Sequence, residues 1–146
     1  MNLPRIHIEG PRPITPRQSA GMAPFWDGLA LGRLMSTKCT RCNHTAFPPR
    51  ELCSKCHAVN PRWVELPEEG SIYSFTTIHM GAGDFGKEGP YDVAIIDLVD
   101  GPRLVTRLLQ NEIAPQINGR VALVVLVYSD GCLFAARPQA AGPPPV

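Results

Sequence analysis

Four cysteines are arranged as Cys39-Thr-Arg-Cys42 and Cys53-Ser-Lys-Cys56, two C-x2-C pairs with ten residues between them. Each pair at this spacing can turn both thiolates toward one ion, and two pairs complete a tetrahedral four-sulfur shell. The shell is closed, with no position left for water or substrate, so the chemistry implied is structural binding of one Zn2+ per chain. Iron in a rubredoxin-like site would use the same spacing, but nothing else in the chain suggests redox work. The residue after each second cysteine needs a left-handed backbone, and Asn43 and His57 tolerate that conformation. Lys38, Arg41, Arg50 and Lys55 flank the ligands and offset the charge of about −2 on a zinc tetrathiolate. With four thiolates available, His44 and His57 are spare surface residues.

Outside this cluster, chemically capable residues are few. Cys132 follows the Asp130-Gly131 turn beside Leu133 and Phe134 and reads as a small buried hydrophobe, because no base lies nearby in sequence. His79 ends an extended run immediately before Gly81-Ala-Gly-Asp-Phe-Gly-Lys-Glu-Gly89, where it faces solvent or a ligand. That loop contains G-x-G-x-x-G, but Lys87-Glu-Gly-Pro90 follows, so no helix opens there to hold a pyrophosphate. Phe85, Lys87 and Tyr91 place aromatic and cationic groups on one loop, a candidate ligand-facing or partner-facing surface.

These residues need a scaffold, and the sequence describes a mainly β one. Phe25-Trp-Asp-Gly-Leu-Ala-Leu31 puts Phe25, Trp26 and Leu29 on one helical face, with Gly32 as the terminating residue. So short a helix is not self-supporting, and Phe25 and Trp26 either pack on the domain or face a partner. Beyond it come strands at 62–66, 70–79, 91–98, 103–109, 120–128 and 132–137, rich in β-branched and aromatic residues. Asp100-Gly101 and Asp130-Gly131 mark hairpins, and Asn118-Gly119 a further turn. Between Leu109 and Asn118 there is room for one or two helical turns at most. With the short piece at Arg62 set aside, five strands fit a small closed OB-type barrel, whose first loop is the glycine-rich one. A small sandwich, the alternative, normally uses about seven strands.

The expected organisation is a Pro-rich arm (1–24), a helix plus zinc ribbon (25–66), an OB fold (67–137) and a Pro-rich tail (138–146). Pro4, Pro11, Pro13, Pro16 and Pro24, with Pro138, Pro143, Pro144 and Pro145 at the other end, predict arms that resist regular pairing and are loose or draped on a partner. Hydrophobic residues make up 44% of the 146, which excludes a wholly disordered chain. Lys plus Arg total 14 against 13 Asp plus Glu, a net charge of +1, which argues against nucleic-acid and membrane-surface partners. No segment approaches the ~20 apolar residues of a membrane-spanning helix, and Met1 to Gly10 is not a leader. A cytoplasmic location is expected, where thiols stay reduced and paired cysteines bind metal.

Taken in order, the FW-containing helix, Gly32-Arg-Leu34, the four-cysteine ribbon with Phe47-Pro-Pro-Arg50, the strand Gly70-Ser-Ile-Tyr-Ser-Phe-Thr-Thr-Ile-His79, Pro90-Tyr-Asp-Val-Ala-Ile-Ile-Asp-Leu98 and Asp100-Gly-Pro-Arg-Leu-Val-Thr106 resemble the DUF35 family. These are rubredoxin-like zinc ribbons joined to OB folds. The resemblance implies an accessory subunit of a thiolase-like complex that makes or breaks a C–C bond in a lipid or aromatic acyl-CoA. The catalytic Cys and His would belong to the partner, and this chain would contribute no catalytic residue. It implies Cys39, Cys42, Cys53 and Cys56 as zinc ligands, the 81–91 loop as a substrate-facing or partner-facing element, acyl-CoA near the shared interface, and a hetero-oligomer. Two other classes stand beside it: a single-stranded nucleic-acid binder, which needs a basic aromatic groove, and a stand-alone acyl-CoA-binding protein or hydrolase.

Overall fold

The computed structural model describes residues 2–141, so Pro143, Pro144 and Pro145 of the expected C-terminal arm lie outside the described residues. In chain order the elements are β1 (Arg5–His7), α1 (Ala23–Ala30), β2 (Met35–Lys38), β3 (Thr45–Ala46), β4 (Arg62–Glu65), β5 (Glu69–Ile78), β6 (Tyr91–Leu98), β7 (Arg103–Leu108), β8 (Arg120–Tyr128) and β9 (Gly131–Pro138). Short 3-10 helices occupy Ala20–Met22 and Gly83–Glu88. None of the described helices is long and apolar enough to cross a membrane.

Strands β5 to β9 close on themselves in the order β8-β5-β6-β7-β9, with β9 pairing back to β8, which is the expected five-stranded OB-like barrel. The alternation is plain in β6, where Asp92, Ala94, Ile96 and Leu98 are buried and their neighbours half-buried, as a strand with one core face requires. A bulge at Tyr73 interrupts the β5–β6 register between Ile72 and Ser74 and bends β5 around the barrel. Gly70 sits where any Cβ would lie 2.4 Å from the Asp97 carbonyl oxygen, so the strand crossing there depends on glycine. The Asp130 turn is shifted by one residue from the expectation: Tyr128 pairs with Gly131, leaving Ser129 and Asp130 as the loop. The 110–117 segment forms no helix and is pinned by Asn111, whose Nδ2 donates to the Pro138 carbonyl.

The short strand β4 belongs not to the barrel but to a second sheet, β3-β2-β4, which carries the ribbon. Helix α1 begins two residues earlier than expected, with Pro24 in its first turn, where a missing N–H costs nothing. It ends at Gly32 with φ +81°, the left-handed terminator anticipated from the sequence. Phe25 and Leu29 enter the main core with Leu34, Leu66 and the barrel's inward side chains, so helix, ribbon base and barrel share one apolar interior.

The N-terminal arm corrects the expectation that residues 1–24 resist pairing. Arg5–His7 adds in parallel to Val125–Val127 of β8, and Leu3 is buried at 4% exposure in the main core. The Leu3 N–H donates to the Gly32 carbonyl (2.7 Å), and the Arg5 guanidinium donates to the Ala30 carbonyl (3.0 Å), so the arm also holds α1. Arg12 is buried; its backbone N–H donates to Asp130 Oδ1 (2.8 Å) and its guanidinium to the Asp130 carbonyl (3.1 Å), clamping the β8–β9 turn. Ile6 and Ile8 cover the outer side of β8, where Val124, Leu126 and Tyr128 form a second apolar cluster. This explains the unbroken apolar run 121–127: the strand is buried on both faces. At the other end, Pro138 completes β9 and the Gln139 N–H donates to the Arg120 carbonyl, so the start of the expected tail is also part of the barrel.

Candidate metal centre

Two loops of like construction build the cysteine cluster. In the first, the Cys39 N–H donates to the His44 carbonyl (2.9 Å) and the Asn43 N–H to the Cys39 carbonyl (3.1 Å). In the second, Cys53 and His57 repeat both bonds, with Ala58 in the place of His44. Asn43 and His57 have φ of 62° and 61°, as the sequence required of them. The tight turns aim backbone N–H groups at sulfur: Arg41 and Cys42 donate to Cys39 Sγ, and Lys55 to Cys53 Sγ, at 3.4–3.5 Å.

All four Sγ atoms lie within 4.8 Å of one another, with Cys39–Cys56 at 3.5 Å and Cys42–Cys53 at 3.6 Å. Ligands about 2.3 Å from a tetrahedral zinc stand about 3.8 Å apart, so the four sulfurs fit that ion. Electrostatics agree. The Cys42 N–H holds the Cys39 thiol below its ordinary range, and the Cys56 and Lys55 N–H groups pull Cys53 down to about 6. For Cys42 the His44 N–H works in the same direction, but burial and the three neighbouring thiols push it up to about 11. Four sulfurs so close cannot all ionise without a cation between them, and a divalent ion would hold every one as thiolate. Cys39 and Cys53 are buried while Cys42 is exposed, so the ion would sit at the surface end of the ribbon with its ligand shell complete. His44 is half-buried and His57 exposed, and neither belongs to the cluster.

The remaining sequence candidates gather only in part. Phe85 and Tyr91 come together, ring centroids 5.7 Å apart, although the loop between β5 and β6 contains a 3-10 helix rather than plain coil. Lys87 is highly exposed but engaged, its Nζ 2.8 Å from Asp84. His79 lies exposed just past the end of β5. Phe25 is a correction to the partner-facing helix: its ring is 9% exposed and packs edge-on against Trp26 (4.9 Å) and Phe134 (6.4 Å), leaving the half-buried Trp26 as the more accessible of the two. Cys132 is half-buried against the main core, consistent with a packing role.

Two cations were missed on the barrel's outer face. Arg103 bonds Asp97 through Nε (2.6 Å) and stands 3.6 Å over the Tyr73 ring, and Arg107 lies 5.6 Å over the Tyr91 ring. The period-two alternation Arg103, Val105, Arg107 was the available signal, since it puts all three on the side opposite Leu104 and Leu108.

Comparison with known proteins follows the same division of the chain. Residues 26–61 match the family model described as the rubredoxin-like zinc ribbon domain of ChsH2, and residues 63–126 match that of the ChsH2 C-terminal OB-fold domain. A DUF35 domain-containing scaffold protein of Methanocaldococcus jannaschii is 32% identical over 77 residues, 52% of this chain and 55% of that protein. A benzoylsuccinyl-CoA thiolase subunit, BbsA, of Geobacter metallireducens is 31% identical over 78 residues, 53% of this chain and 51% of that one. The chain thus spans about half the length of these curated relatives. Among solved structures, a chain of the Ltp2-ChsH2(DUF35) aldolase superposes with a TM-score of 0.72 at 29% identity, covering 85% of this chain and 98% of that one. The zinc ribbon description and the four-sulfur geometry together make the centre a structural zinc site.

Proposed function

Because this chain belongs to the DUF35 family, with a rubredoxin-like zinc ribbon joined to an OB fold, we propose that it is a cytoplasmic accessory subunit of a thiolase-like complex acting on an acyl-CoA. The observation that carries the reading is the near-complete correspondence with a chain of an aldolase complex, supported by the likeness to a thiolase subunit. The chain's own chemistry agrees. Its metal shell is closed, and the one remaining cysteine, Cys132, packs against the core. The C–C bond chemistry is assigned to the partner's own nucleophile and base, while this chain supplies contact surface and shapes the approach of the acyl-CoA. The loop bearing Phe85, Lys87 and Tyr91, with His79 at its entrance, is proposed to lie on that approach.

The test is co-expression with a thiolase-like protein from the same genome, followed by native mass spectrometry and an acyl-CoA assay. A stable hetero-oligomer whose activity depends on this chain is expected. Two proteins that remain separate, or full activity in the isolated chain, would refute the reading.

A further inference from the structure

β5 pairs with β6 from Gly70 to Ile78 but with β8 only from Glu69 to Ser71. One more pair of bonds, Ile72 N–H to the Gly119 carbonyl and Asn118 N–H to the Ile72 carbonyl, closes that side. β8 then turns to β1, so among the described residues Tyr73–Ile78 carries a single ladder. Ile72 directs both backbone groups away from β6. The bulge shifts the alternation by one, so Ser74, Thr76 and Ile78 bond toward β6 while Phe75 and Thr77 present N–H and C=O to the open side. Tyr73 and Phe75 are 52% and 36% exposed, and Met80 beyond the strand is 92% exposed.

Tyr-Ser-Phe-Thr-Thr-Ile contains no charge and no proline. Proteins ordinarily blunt an exposed sheet edge with lysine, proline or a short strand, because unpaired backbone groups on a flat uncharged edge recruit another strand. From this edge we infer that Tyr73–Ile78 docks an uncharged extended segment of the thiolase-like subunit as an added strand of the barrel, a surface that rests on the subunit reading above. Six residues at ~3.3 Å each offer about 20 Å of ladder. Main-chain bonds supply the attachment, and the absence of charge selects a neutral strand. A second copy of this chain fits poorly. Matching side-chain faces about a two-fold axis requires the pairing to centre on Phe75 or Thr76. That would drive the 79–90 loop of one copy into the space that Asn118 and Gly119 fill beside Ile72 of the other.

The test is amide hydrogen exchange on this chain, free and in complex with the co-expressed thiolase-like subunit, together with two variants. Phe75→Pro removes an edge N–H without touching the β6 ladder, and Thr76→Lys places a charge on the edge. Exchange at Phe75 and Thr77 should slow at least tenfold in the complex, and either variant should weaken assembly at least tenfold while keeping its zinc and melting temperature. If Phe75→Pro does not fold, Thr76→Lys and the exchange data decide. A complex that forms with exchange unchanged and both variants binding normally overturns the docking edge and leaves the subunit reading intact. No complex with the wild-type chain overturns both. Protection of the edge in a dimer of this chain alone assigns it to a second copy and overturns the proposal.

Discussion

Replacing Leu3 by alanine tests whether the first dozen residues are part of the fold. Leu3 is 4% exposed and belongs to the main core with Phe25, Leu29 and Leu34. Truncation removes three carbons, about 2.4 kcal/mol of transfer free energy at ~0.8 kcal/mol per methylene-sized group. The cavity left behind adds to this, and a total of about 3 kcal/mol falls inside the ~2–5 kcal/mol range for buried leucines. The site resists full collapse, because the Leu3 N–H is fixed to Gly32 and Arg5–His7 is fixed to β8. In a chain of this size the change corresponds to a fall in Tm of about 10 °C. The assay is urea and thermal unfolding with zinc in excess, so that metal loss does not contribute. Pro4→Ala, at an exposed neighbour, serves as control and should stay within about 0.5 kcal/mol of wild type. A Leu3→Ala value as small as that of the control would refute the docked arm and return it to the loose segment its prolines suggest.

Cys39→Ser, or exhaustive chelation, should reduce zinc from one per chain to none and unfold the ribbon, since such sites contribute on the order of 10 kcal/mol to small modules; metal analysis and near-UV circular dichroism check this. Gly70→Ala drives a Cβ onto the Asp97 carbonyl and the Ile96 side chain, so chemical denaturation should show a loss of about 2–3 kcal/mol. Asp97 is held below the usual carboxylate range by its bond to the Arg103 guanidinium, and Asp130 by the Arg12 backbone N–H. Their folded pKa values lie below the unfolded value of ~3.9, so their contribution is complete above it and lost as pH falls through the folded values. The double variant Asp97→Asn, Asp130→Asn should therefore show a shallower acid limb in stability–pH measurements below about pH 5. Substituting Lys87 and Phe85 together should raise KM for the acyl-CoA in the assembled complex, and unchanged kinetics would remove the loop from the substrate path.

The metal centre was legible because its information is local: spacing fixes the ligands, and Asn43 and His57 mark the two left-handed turns. The barrel strands were legible because β-branched and alternating residues report a pleated, half-buried surface, as in β6. The arm was not, because β1 is three residues long and its partners, Val125–Val127, lie at the far end of the sequence. Prolines on both sides then argued against a strand that pairs on one edge only. Phe25 was ambiguous because an aromatic on a short helix reads alike whether a core or a partner covers it. The open edge of β5 was hidden for another reason. Which strand lacks a neighbour is a property of how β8 diverges toward β1, and no residue of 73–78 records it.

The pairing of Arg5–His7 with Val125–Val127 also has a kinetic meaning. During synthesis Leu3, Ile6 and Ile8 emerge well before the β8 surface that receives the segment. Contacts of such sequence separation carry the largest loop-closure cost and form late. The Arg5–His7 segment should therefore lock only after β8 and β9 have been made, so α1 and the β8–β9 turn remain without their clamp until then.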